Sequence, residues 1–377
     1  MTLPPLSLYI HIPWCVEKCP YCDFNSHAIK GGIPEAEYVD ALLADLEADL
    51  PLAGGRTLTS IFIGGGTPSV FSTEAIARLL AGVKARIPFS GDIEITFEAN
   101  PGTVEADKFK GFAEGGVNRL SIGVQSLQQD KLNLLGRIHG PGEALRAAAL
   151  AADCGVRSFN LDLMHGLPNQ RQQDALDDLR QAIACNPAHL SWYQLTIEPN
   201  TLFASKPPVL PDDDTLWAIQ EAGHELLLAA GYRQYEISAY AKPGFEARHN
   251  LNYWRFGDYL GIGCGAHGKL TQADGRILRT VKVRHPKGYL DPSRSFMDQL
   301  LAVEADELPF EFFMNRLRLF EDVPKADFTH RTGLPLALAQ QQLADAFAKG
   351  LMVENASHWQ VTEQGHRYLN QLLASFL

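Results

Sequence analysis

The sequence predicts an α/β protein, an incomplete (β/α)6 TIM-like barrel followed by a small C-terminal α+β domain of winged-helix-like pattern. Three observations predict it. From Leu6 to about Thr196, short runs rich in β-branched and aromatic residues alternate with longer amphipathic stretches, the pattern of parallel βα units. Six such units can be read and a seventh and eighth cannot, which leaves the barrel open on one side. From about Phe296 the composition turns to helices and then to a hairpin.

The strand candidates are "LSLYIH" from Leu6, "TSIFI" from Thr59, "IEITFEA" from Ile93, "NRLSIGV" from Asn118, "RSFNLDL" from Arg157 and "LSWYQLT" from Leu190. Between them, the stretch from Glu35 is apolar at Tyr38, Leu42, Leu43 and Leu46, the recurrence by which a helix covers a sheet. "TEAIARLLAGVKARI", "EALRAAALAAD" and "QQDALDDLRQAI" repeat that pattern. "DDDTLWAIQEAGHELLLAAGY" reads as an Asp-capped helix, followed by strand-like "YEISAYA" and a loop, "GFEARHNLNYWRFGDYLGIGCGAHG". The last segment, "GLMVENASHWQVTEQGHRYLNQLL", reads as a hairpin feeding a final helix.

A chain of 377 residues, 46% hydrophobic and 20% charged, has enough apolar material for one large core or two ordinary ones. Its formal charge of -11 argues against nucleic acid or an anionic membrane as the default partner. From Glu304 to Leu377 there are six Lys and Arg against ten Asp and Glu, so the winged-helix pattern reads as a packing or partner-docking module. The N-terminus lacks the basic and apolar regions of a signal peptide, and no run reaches the roughly 20 apolar residues of a membrane span. A cytoplasmic protein is expected. Six cysteines in so long a chain, three of them clustered, point to metal or redox use of the cluster in a reducing compartment.

Each predicted strand ends on something chemically useful. His11 and the cysteines follow the first, "GGGTPS" from Gly64 the second, and Glu98, Gln125, Asp162 and Thr196 lie at the ends of the third to sixth. In a parallel barrel those ends meet at one mouth, where active sites are built. Cys15, Cys19 and Cys22 stand there in CxxxCxxC spacing, and Pro13 and Pro20 keep their loop from becoming a helix. A structural zinc needs four ligands, so His11 or His27 would have to complete a zinc site. A 4Fe-4S cube bound by three thiolates keeps one iron for another ligand. Cys154, Cys185 and Cys264 stand apart and read as small apolar residues.

CxxxCxxC after the first strand of an incomplete barrel, with Tyr21 before the third cysteine, resembles the radical S-adenosylmethionine (radical SAM) superfamily. The resemblance implies a 4Fe-4S cluster on the three cysteines, SAM on the fourth iron, and cleavage of SAM to a 5'-deoxyadenosyl radical once the cluster is reduced. "GGGTPS" resembles the family's glycine segment, where backbone meets the amino end of SAM. "YIHIPWC", "GGGTPS", "FEANP", "RLSIGVQS", "GRIH" and "NLDLMHGLP", in this order, resemble the oxygen-independent coproporphyrinogen III oxidase-like family over nearly the whole chain. Carried over by motif, Tyr9, Gly65, Gly66, Thr67 and Glu98 would hold cluster-bound SAM, and Tyr21, Gln125, Arg137 and Asp162 would surround a second SAM.

The sequence departs from the oxidases of that family at two places. They carry a further cysteine where this chain has Phe24, and a longer segment before the cluster. Both departures resemble the family's haem chaperone group, HemW, which also carries an HNxxYW motif, here His249, Asn250, Tyr253 and Trp254. Imidazole is a common haem ligand and two aromatics offer flat apolar surface, so His249 is the candidate haem ligand, with His267 in "GCGAHG" as the alternative.

The resemblance implies a haem chaperone of porphyrin metabolism that passes haem to acceptor haemoproteins of respiration or haem storage. A radical decarboxylase of coproporphyrinogen III is the rival reading. SAM cleavage, a homodimer and transient membrane contact stay open. On this reading residues 1–235 form the radical SAM core with its cluster loop, 236–295 an extension carrying HNxxYW, and 296–377 the winged-helix-like domain.

Overall fold

Alternation of period two along the predicted strands decides what each face of the sheet becomes. The structure, a computed structural model, describes residues 3–103 and 106–376. Its main sheet has twelve strands, and the six predicted ones run parallel and adjacent in sequence order. They are β1 (Leu6–Ile12), β2 (Leu58–Gly65), β3 (Phe89–Ala99), β4 (Arg119–Gln125), β5 (Ser158–His165) and β6 (His189–Gln194). In β1 the residues Leu6, Leu8, Ile10 and Ile12 are fully buried, and Ile61, Ile63, Phe97, Leu120, Ile122 and Leu163 continue their layer across the sheet.

That layer packs on helices α1 (Glu35–Ala53), α2 (Thr73–Arg86), α3 (Ala106–Glu114), α4 (Pro141–Asp153) and α5 (Gln172–Ala184). Tyr38, Leu42, Leu46, Leu79, Val83, Phe109, Phe112 and Leu179 are their contributions to one continuous core. Each fully buried Leu, Ile or Phe there contributes about 1.5–3 kcal/mol relative to exposure. The intervening strand positions, Ser7, Tyr9 and His11, Ser60 and Phe62, Glu94 and Glu98, Ser121, and Asn160 and Asp162, point into the concave side.

Helix α6 (Asp213–Ala229) starts, as predicted, on an aspartate: the Asp212 carboxylate accepts from the Thr215 amide at 2.9 Å. A hairpin of β7 (Arg233–Glu236) and β8 (Ala239–Ala241) then joins the β6 edge antiparallel. The segment read as a loop from Gly244 holds two elements instead. Helix α7 (Arg248–Trp254) carries the HNxxYW motif, and β9 (Asp258–Ile262) pairs parallel with β1, Leu6 opposite Asp258 and Ile10 opposite Ile262. β9 is thus a seventh parallel strand. All five of its residues are buried, so it shows no alternation, and Gly261 is its fourth residue, where a Cβ would overlap the His267 carbonyl.

From β9 the chain continues antiparallel through β10 (His267–Thr271), β11 (Ile277–Lys282) and β12 (Met297–Ala302). The helical composition expected from Phe296 therefore begins after a strand. Among the described residues the sheet runs from β12 to β7 without closing on itself, so the barrel is open.

The C-terminal part is α+β. Helices α8 (Leu308–Arg316), α9 (Lys325–Thr332) and α10 (Leu336–Ala348) pack with a three-stranded sheet of β13 (Val323–Pro324), β14 (Met352–Glu354) and β15 (His358–Val361). Its own core holds Phe312, Phe313, Phe328, Leu343, Trp359 and Leu372.

Candidate functional site

The loop after β1 is tied down at both ends and at its tip. Trp14–Cys15 pairs with His27–Ala28, the Phe203 amide donates to the Pro20 carbonyl at 3.0 Å, and the Asn25 side-chain amide donates to the Cys264 and Arg284 carbonyls, both at 2.9 Å. Between these anchors the Cys22 amide donates to the Cys19 carbonyl at 3.1 Å, a tight turn that brings two cysteines to the same side. Cys15, Cys19 and Cys22 are unbridged and line one cavity of about 290 Å3 at the C-terminal ends of the strands. Burial pushes the Cys15 thiol up, against a hydrogen bond from Thr67, so its proton competes with a cation for the sulfur.

The donor set distinguishes the two metals that the spacing allows. Zinc draws all its ligands to about 2.0–2.3 Å of one point. Among the described residues, no three His, Cys, Asp or Glu side chains converge in that way. His11 cannot complete a zinc site, because its Nδ1 meets the Tyr9 hydroxyl at 2.9 Å and its Nε2 the Asn25 carbonyl at 2.8 Å. His27 packs edge-on against His285 and does not line the cavity of the three thiols. Three thiols spaced around a cavity fit a 4Fe-4S cube, where each binds its own iron.

Eight of the predicted SAM residues line this cavity with the cysteines: Tyr21, Gly65, Gly66, Thr67, Glu98, Gln125, Arg137 and Asp162. The glycines are needed for packing. Gly65 has φ 116°, a Cβ on it would lie 2.5 Å from the His11 ring, and one on Gly66 would lie 2.5 Å from the Trp14 carbonyl oxygen. Their amides are engaged: Gly65 N–H donates to Glu98 Oε2 at 3.1 Å, Gly66 N–H to the Ile12 carbonyl at 2.7 Å and Thr67 N–H to the Trp14 carbonyl at 2.7 Å. An ammonium in the cavity would therefore meet carbonyl oxygens and carboxylates, which are the acceptors it needs.

Burial, and then Asp162, pushes the Glu98 carboxyl up to about 7, opposed by the Gly65 amide. Burial also raises Asp162, whose oxygens accept from Ser121 Oγ at 2.9 Å and Asn160 Nδ2 at 2.8 Å. Arg137 reaches Cys19 Sγ at 3.5 Å and the Gly123 carbonyl at 2.8 Å, while its Nε is buried without a partner. Burial works against its charge, but Tyr21 and Cys19 favour it more, so the guanidinium stays charged. Gln125 takes φ 68° at a register shift in β4, and its Oε1 accepts from the Tyr193 hydroxyl at 2.6 Å. Thr196 is not part of the site; it is exposed and bonds Glu198.

Tyr9, the ninth predicted SAM residue, lines a second cavity of about 770 Å3 with His11, Tyr253, Tyr259 and His267. Phe24, Gly65 and Glu98 line both cavities, so the two adjoin. Sequence reading missed Ser121, Gly123 and Tyr193 in the first and Tyr259 in the second. The signal for Ser121 and Gly123 was present: they alternate with Leu120 and Ile122 in "RLSIGV".

HNxxYW is placed elsewhere. Helix α7 lies across the floor of the concave side, where the Glu94 carboxylate accepts from the Arg248 amide at 3.2 Å and the His249 amide at 3.1 Å, capping its N-terminus. His249 Nδ1 meets Ser60 Oγ at 3.0 Å, Ser60 meets Ser7 at 2.7 Å, and Asn252 Nδ2 donates to Ser7 Oγ at 2.9 Å. The His249 ring packs between Phe62 and Tyr253, at 5.2 and 5.1 Å. At 2% exposure His249 lines neither cavity, and burial, with Arg119 adding to it, pushes its imidazole down to about 3. The haem ligand expected at His249 is thus a neutral, buried side chain in this packing, held off any open surface by the helix that carries it. Asn250 and Trp254 follow on the same helix, with the Arg318 guanidinium 4.7 Å over the Trp254 ring.

No helix among the described residues is long and apolar enough to cross a membrane. The model of the radical SAM superfamily matches residues 9–182, and that of the HemN C-terminal domain matches residues 303–368. The chain is 63% identical, over 100% of its length and 99% of the relative's, to a protein of Escherichia coli named heme chaperone HemW. It is 60% identical, over 100% of its length and 98% of the relative's, to a Haemophilus influenzae protein of the same name. Its fold matches that of the coproporphyrinogen III oxidase HemN from Escherichia coli with a TM-score of 0.84 at 23% identity, covering 99% of this chain and 90% of that one. With three thiols at the mouth of an open parallel barrel and full-length identity at this level, the chain belongs to the HemW family within the radical SAM superfamily.

Proposed function

We propose that this protein is a haem chaperone that holds a 4Fe-4S cluster on Cys15, Cys19 and Cys22, binds SAM beside it, and passes haem to acceptor haemoproteins in the cytoplasm. The observation that carries the cofactor part is the placing of three unbridged thiols and eight predicted SAM residues around one cavity. The name of the two relatives above supports the haem part. When bound, a reduced cluster supplies an electron to its ligand. The protein's own residues bind and orient: Arg137 offers a fixed cation for a carboxylate, and Glu98 and Asp162 accept from an ammonium or from ribose hydroxyls. Phe24, 63% exposed on the wall between the two cavities, occupies the position where the oxidases carry a further cysteine and offers no thiol there.

The test is anaerobic. The cluster is reconstituted, haem is loaded, and transfer to an apo-haemoprotein is followed by the acceptor's absorbance. In parallel, coproporphyrinogen III is offered with SAM and a reductant. Haem transfer without protoporphyrinogen formation is expected. Protoporphyrinogen at many turnovers would replace this reading by the decarboxylase.

A further inference from the structure

We propose that haem seats in the larger cavity with His267 as its iron ligand. The proposal rests on the haem-chaperone reading and names the site that reading leaves open. A volume of about 770 Å3 lies within the roughly 300–1,000 Å3 of small-molecule sites, and the neighbouring cavity of about 290 Å3 is the one lined by the three cysteines.

The walls suit a flat, apolar plate with charged edges. Tyr253 and Tyr259 lie with ring centroids 4.1 Å apart and, with Tyr9 and exposed Phe24, supply aromatic surface. Arg284 on the same wall is exposed and can pair with a propionate. Two histidines line this cavity, and only one has a ring to offer. Both nitrogens of His11 are engaged, whereas among the described residues the ring of His267 has no hydrogen-bond partner. His267 is exposed at the first position of β10, and Gly261 opposite lets the two backbones approach closely enough to hold that position. Partial burial, and then Arg279 and Arg284, hold its imidazole below the ordinary value, so it is neutral and able to bind iron at pH 7.

HNxxYW then serves this site from beneath. Tyr253 reaches the cavity as wall, and His249 one turn earlier anchors the helix on Ser60. A groove of about 780 Å3 beside α6, lined by Trp217, Phe320, His366 and Arg367, offers similar chemistry. There the His366 ring lies flat on Phe320 at 4.1 Å, and the groove shares no wall with the cysteine cavity.

The experiment titrates haemin into the full chain with its cluster reconstituted, following the Soret band and low-temperature electron paramagnetic resonance. His267→Ala is expected to lower haem affinity at least about tenfold and to lose the imidazole-ligated signature, with iron and sulfide content unchanged. Free imidazole should restore that signature. His267→Tyr should shift the spectrum to phenolate ligation, and it carries the test if the alanine variant does not fold. His366→Ala should keep the wild-type spectrum. A wild-type spectrum and affinity in both His267 variants, or loss of the signature in His366→Ala instead, would overturn the assignment. If the unmodified protein takes up no haem at all, the chaperone reading itself fails; if it binds and the His267 variants match it, only this site fails.

Discussion

At the floor of the concave face, Asn252, Ser7, Ser60 and His249 Nδ1 are linked in a chain of three hydrogen bonds that leaves only His249 Nε2 without a partner, and Glu94 caps the helix that carries it. At the mouth, beyond the C-terminal ends of the same strands, the three cysteines line a cavity, with one bond from Arg137 to Cys19 and the Arg137 Nε left without a partner. The strands are the same, so alternation alone cannot tell the two ends apart. What differs is whether a helix or open space lies opposite. Where α7 fills the space, polar side chains act as struts; where nothing does, they are available to a ligand.

Four measurements break or sharpen that contrast. The largest effect is expected at the mouth: Cys15→Ala, Cys19→Ala or Cys22→Ala abolishes the iron-sulfur absorbance after reconstitution, with far-UV circular dichroism unchanged. Retention of a full cluster by any of the three would remove that cysteine from the ligand set.

At the floor, His249→Ala leaves a cavity and takes from Ser60 one of its two side-chain partners, at a cost of about 2–3 kcal/mol of stability seen as a lower denaturant midpoint, while iron content is kept. Loss of the cluster with no change in stability would reverse the roles of the two ends.

The third measurement uses pH. Glu98 is raised from 4.5 in the unfolded chain to about 7, so the native state holds that proton more tightly and stability from this group falls as pH rises from 4.5 to 7. His249 is lowered from 6.5 to about 3, so its contribution is lost as pH falls from 6.5 towards 3. Glu98→Gln should flatten the first slope and leave the second. It should also weaken SAM binding by roughly tenfold above pH 7, where the wild-type carboxylate has formed. An unchanged SAM affinity in equilibrium dialysis would take Glu98 out of the binding site.

The smallest effect is expected at the boundary. Phe24 is 63% exposed, so Phe24→Ala shifts stability by less than about 0.5 kcal/mol, and a larger drop in thermal unfolding would show that the loop is braced there.

Much of the frame was readable because the six central strands alternate and their helices repeat every three to four residues. β9 was not, since burial on both sides erases alternation and Gly261 near its end imitates a turn. The cysteines announced themselves by spacing. The place of HNxxYW in the fold could not be read in the same way, because what fixes it is Glu94 and Ser60, distant in sequence and unremarked in their strands.

The pairing of β1 with β9 bears on the order in which the protein is made. Leu6 lies opposite Asp258, and the cysteine loop is pinned by Asn25 to carbonyls of residues 264 and 284. A nascent chain that has emerged only as far as its sixth parallel strand has no neighbour for one edge of its first strand and no pin for that loop. On the proposed reading, cluster loading waits until the segment through residue 284 has emerged, and a ribosome-stalled chain ending at residue 250 should take up less iron than the released protein.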